Sequence, residues 1–81
     1  MEITVRLSSG LAGVIGRPRF SVDLEQGATV AHLLDQLRRD YPALSERLNG
    51  TVAVVSGKTV DPSVTLSAGQ EVAILTPISG G

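Results

Sequence analysis

Between Thr29 and Pro42 the chain reads TVAHLLDQLRRDYP, and no other stretch narrows the choice of fold as much. Val30, Leu33, Leu34, Leu37 and Tyr41 recur at i, i+3, i+4, i+7 and i+11, while Asp35, Gln36, Arg38, Arg39 and Asp40 take the opposite side. That is a helix with one apolar stripe. Thr29 suits the N-cap, where its hydroxyl can accept a bond from an orphan amide of the first turn. Pro42 disfavours helical backbone at the residue before it, so the helix stops by Tyr41. The stripe needs a second layer to bury against.

The flanking sequence supplies that layer as strands. Glu2-Ile3-Thr4-Val5-Arg6-Leu7 and Arg19-Phe20-Ser21-Val22-Asp23-Leu24 alternate polar and apolar at period two, the mark of half-buried strands. The connection from 8 to 18 carries Gly10, Gly13, Gly16 and Pro18 and is expected as a loop with one short helical turn around Leu11-Ala12. Such a short connection makes the first two strands antiparallel. After the helix, residues 43–48 offer one more short turn, closed by Asn49-Gly50. Thr51-Val52-Ala53-Val54-Val55-Ser56 is a β-branched strand, apolar on both faces. A tight turn at Ser56-Gly57-Lys58 follows, then a short paired stretch at Thr59-Val60 and a segment anchored by Val64 and Leu66. Residues 71–76 form a last strand with Val72 and Ile74 inward. The expected class is α+β: one domain over residues 1–77, with a mixed sheet of four to five strands under one main helix, and a flexible tail at 78–81.

With 81 residues and only two aromatics, Phe20 and Tyr41, the core must be built from Val, Leu and Ile. The absence of cysteine excludes disulfides, thiolate metal sites and a thiol nucleophile, and fits a cytoplasmic setting. No apolar run is long enough to span a membrane. A net charge of −1 gives no electrostatic reason to expect nucleic acid.

Chemistry narrows by elimination. The glycines after the first strand lack both the GKS/GKT of a P-loop and the GxGxxG of a dinucleotide site. His32, the only histidine, has no second imidazole or carboxylate pair at ligand spacing; it reads as a surface helix residue, and no metal site is expected. No serine lies in a GxSxG elbow. The chain is therefore expected not to be an enzyme. What remains is Pro77-Ile78-Ser79-Gly80-Gly81 directly after a strand. Glycine has no Cβ, so two in succession can carry a carboxylate through a channel closed to other residues. A frayed end of small residues is the plain alternative.

The element order, Val54-Val55-Ser56-Gly57, Gly69-Gln70-Glu71-Val72, Ile74-Leu75-Thr76-Pro77 and the Gly80-Gly81 ending together resemble the ubiquitin-like sulfur carriers of the MoaD/ThiS family, most of all its molybdopterin synthase small subunits. Gln70 stands where the family pattern carries Asp, and Thr76-Pro77 keeps only the second residue of its proline pair. The resemblance implies a β-grasp fold and a Gly81 carboxylate adenylated by a ubiquitin-activating-type partner. That partner, not this chain, would use ATP and Mg²⁺. A sulfur donor enzyme would then convert the end to a thiocarboxylate, with Ile78, Ser79 and Gly80 as the arm. The large subunit of molybdopterin synthase would accept it. Val52, Val54, Ala73 and Leu75 are expected on the open sheet face as the partner-binding patch. The same family leaves open a protein modifier joined through Gly81 to lysines of targets, and carriers for thiamine, tRNA thiolation or cysteine synthesis. Lys58 is the only lysine, which argues mildly against chains of the protein on itself.

Overall fold

The structure is a computed structural model, and it describes residues 1–76. Eight elements follow one another: β1 (Glu2–Leu7), α1 (Ser9–Ile15), β2 (Arg19–Asp23), α2 (Val30–Asp40), a 3₁₀ turn (Pro42–Leu44), β3 (Val52–Val55), β4 (Lys58–Val60) and β5 (Glu71–Leu75). The five strands form one sheet in the order β2-β1-β5-β3-β4. β1 runs antiparallel to β2 and parallel to β5; β3 is antiparallel to both of its neighbours, β5 and β4. The sheet is mixed, as expected, and five-stranded.

The core follows the alternation in the sequence. Ile3, Val5, Leu7, Phe20, Val22, Val72 and Ile74 are buried from the sheet, and Val30, Leu33 and Leu37 from α2. Ala53 and Val55 settle the ambiguous strand, since both point inward. A T-shaped pair of Phe20 and Tyr41, with centroids 5.3 Å apart, ties β2 to the end of α2. The Arg17 guanidinium lies over the Phe20 ring and donates to the Tyr41 hydroxyl at 2.9 Å.

Two local expectations change, and His32 is the exposed helix residue expected but has an added role. The stretch after β1 is a seven-residue helix rather than a loop with a single turn. Its glycines disfavour helix, but Leu11 is 1% exposed and draws the segment onto the core, and Gly16 closes it at φ 70°. Val64 is not an anchor; it is 38% exposed, and Leu66 alone of that pair is buried. The segment is held by backbone instead, with the Val30 N–H donating to the Val64 carbonyl and the Leu66 N–H to the Ala28 carbonyl. His32 is exposed yet structural. The Thr29 N–H donates to its Nδ1 at 2.9 Å while its own N–H donates to Thr29 Oγ1 at 3.3 Å, which closes a capping box.

Candidate functional site

Alternation sorts every strand into an inner and an outer row, and α2 leaves the outer face of the sheet uncovered. Register places Val52 opposite Leu75 and Val54 opposite Ala73, so the four residues expected to form the patch share that face. They differ in exposure. Leu75 is 38% exposed, Val52 and Val54 are half-buried, and Ala73 is only 4% exposed. Ala73 sits in a central strand with Arg6 beside it on β1 and Val54 on β3, so longer neighbours wall in its methyl group. It is the floor of a shallow depression that Arg6, Glu71, Val54 and Gly57 also border. It contributes shape rather than exposed area.

Three charged residues that sequence reasoning did not group with the patch complete the face. Arg19 approaches the Glu71 carboxylate at 3.0 Å and Arg6 approaches it at 3.7 Å. Period-two alternation marks all three as outward. Only the lateral order β2-β1-β5 brings them together, and no local pattern encodes that order.

The base of the C-terminal segment is held from both sides. β5 lies between β1 and β3, and the Ser8 N–H donates to the Ile74 carbonyl at 3.0 Å. The hydroxyls of Ser8 and Thr76 are 3.4 Å apart. Ile78, Ser79, Gly80 and Gly81 lie outside the described residues. Among the described residues no cluster of three or more His, Cys, Asp or Glu side chains could hold a metal ion, and no helix is long and apolar enough to cross a membrane. One carboxyl departs from its ordinary acidity. The Ser63 hydroxyl and N–H both donate to Asp61 in the turn after β4 and hold its pKa below the usual carboxylate value. This belongs to the turn and not to the open face.

The model of the ThiS family matches residues 11–81. The chain belongs to the ThiS family. A molybdopterin synthase sulfur carrier subunit from Mycobacterium tuberculosis is 33% identical over 64 residues, covering 79% of this chain and 77% of that protein. Small archaeal modifier protein 1 from Haloferax volcanii is 32% identical, covering 94% of this chain and 97% of its own length. The crystal structure of the Haloferax protein superimposes with a TM-score of 0.89 at 29% identity over the full length of both chains. The fold is thus the ubiquitin-like β-grasp. This ThiS-family chain is a ubiquitin-like sulfur carrier by family, a carrier protein rather than an enzyme, and its relatives include both a molybdopterin synthase sulfur carrier subunit and a small archaeal modifier protein.

Proposed function

We propose that the chain carries sulfur on Gly81 as the small subunit of a molybdopterin synthase. The family match that runs through Gly81 is the observation that supports this most, and the 33% identical Mycobacterium protein supports the choice of acceptor. A ubiquitin-activating-type enzyme, using ATP and Mg²⁺ that it binds itself, joins AMP to the Gly81 carboxylate and releases pyrophosphate. The acyl adenylate is electrophilic where the carboxylate was not. A persulfide from a sulfur donor enzyme attacks the acyl carbon and AMP leaves. Reduction of the resulting acyl disulfide by a thiol frees a thiocarboxylate, which the large subunit of the synthase accepts and spends on its pterin precursor. The cytoplasm, reducing and rich in ATP, suits this chemistry.

The outer sheet face is the docking surface in this reading, centred on Leu75, Ala73, Val54 and Val52. Ile78, Ser79 and Gly80 thread the partner's channel behind Gly81. A second reading has its own support in the archaeal relative: conjugation of Gly81 to lysines of target proteins. Both begin with adenylation and part at the nucleophile. Mass spectrometry of every species carrying the chain, isolated under denaturing conditions from its own cells with an N-terminal tag, separates them. A free protein with one oxygen exchanged for sulfur is the expected result. Adducts to target lysines with no thiocarboxylate would replace the first reading by the second.

A further inference from the structure

The outer face pairs like charge with like charge. Arg6 of β1 lies directly opposite Arg19 of β2, and Glu2 of β1 directly opposite Asp23 of β2. Like charges facing across a ladder cost stability, and exchanging one arginine with one acid would have turned both pairs favourable. The sequence keeps base with base at one end of the two strands and acid with acid at the other. Arg6 and Arg19 keep 60% and 65% of their side-chain surface exposed, and Glu71 is their only carboxylate partner among the described residues. One carboxylate between two guanidiniums leaves a positive charge uncompensated. That charge borders the apolar patch, because Arg19, Arg6, Ala73 and Val54 form one continuous row across four strands.

We infer that Arg6 and Arg19 are the carboxylate-reading rim of the docking face. The partner that fits is a protein surface that seats an apolar side chain over Ala73 and brings a carboxylate to the two guanidiniums. Glu71 occupies that place in the free chain and is the group the partner's acid competes with. Charge-assisted guanidinium–carboxylate bonds supply direction and register, and the apolar row supplies area. The inference rests on the sulfur-carrier reading, which makes the adenylating enzyme the partner to test.

The experiment is a titration of the chain with the ubiquitin-activating-type enzyme of its own cells, without nucleotide, at low and high salt. Pyrophosphate release is measured in parallel. Arg6→Gln and Arg19→Gln are expected to weaken binding about fivefold each at low salt and to flatten its salt dependence. Glu71→Gln is expected to tighten binding about threefold, because it frees both guanidiniums. A merely structural cluster would move all three variants the same way. Arg6→Lys keeps the charge on a side chain of similar length and is expected to bind more tightly than Arg6→Gln, which guards against a folding artefact. Arginine variants that bind as wild type while wild-type pyrophosphate release proceeds overturn the inference and leave the carrier reading standing. A loss seen only when ATP is present assigns the arginines to phosphate and overturns it too. Absence of both binding and pyrophosphate release with the wild-type chain overturns the functional reading, and this inference with it.

Discussion

At position 56 a serine holds φ at 52°, the one described non-glycine residue in the left-handed region. With Gly57 at φ 77° it makes the two central residues of the β3–β4 hairpin, between the paired Val55 and Lys58. Positive φ at both positions is the type I′ pattern, where Asn-Gly is preferred because Asn tolerates the left-handed region better than Ser. Ser56→Asn should therefore stabilise the protein by about 0.5 kcal/mol. The check is the urea midpoint, together with slower amide exchange at Thr59 and Val60; an unchanged midpoint would refute it. His32 makes a related point about reading single residues. Its spacing of three from Thr29 was visible, but a capping box is usually sought as Glu or Gln at that place. An imidazole nitrogen that carries no proton is an acceptor as well, so the ring ties the helix start through Nδ1.

Among the elements, those with a strong period were legible. β1, β2 and α2 stand where the alternation and the stripe put them, and Thr29 caps α2 as its position suggested. α1 was not legible, because its order comes from Leu11 meeting the core and not from helix preference. The open face was legible as a set of apolar residues on β3 and β5, but its charged half was not. Arg6, Arg19 and Glu71 meet only through the parallel β1–β5 and antiparallel β1–β2 registers, which link residues far apart in the chain. α1 also yields a prediction. Gly10 and Gly13 are exposed helical positions where an added Cβ would touch nothing within 4 Å, and neither has a positive φ. Each replacement by alanine should stabilise the free chain by about 0.5–1 kcal/mol, near the difference in helix propensity. Thermal melts of the two single variants and the double variant test this, and a lowered melting temperature would contradict it.

For the whole molecule, folding and the proposed chemistry occupy separable parts of the chain. Among the described residues no member of the buried core lies beyond Ile74, and Leu75 turns outward and is 38% exposed. Two variants should therefore fail in different ways. Removal of Gly80-Gly81 takes away no described residue of the core, and the melting temperature is expected to hold. Binding to the adenylating enzyme should persist at reduced strength, and thiocarboxylate formation should cease. Leu75→Glu keeps the terminal glycines but puts a charge into the apolar row opposite Val52. It should cost about 1 kcal/mol of stability at most, because the position is part exposed, and weaken binding at least about tenfold by burying an unpaired carboxylate at the interface. Raising the enzyme concentration should then recover thiocarboxylate from the Leu75→Glu chain and none from the truncated one. Differential scanning calorimetry, a binding titration and intact mass on the same three proteins are sufficient. If the truncated chain retains every activity of the wild type, Gly81 is not the reacting end, and the fold is an interaction module whose outer face is its whole function.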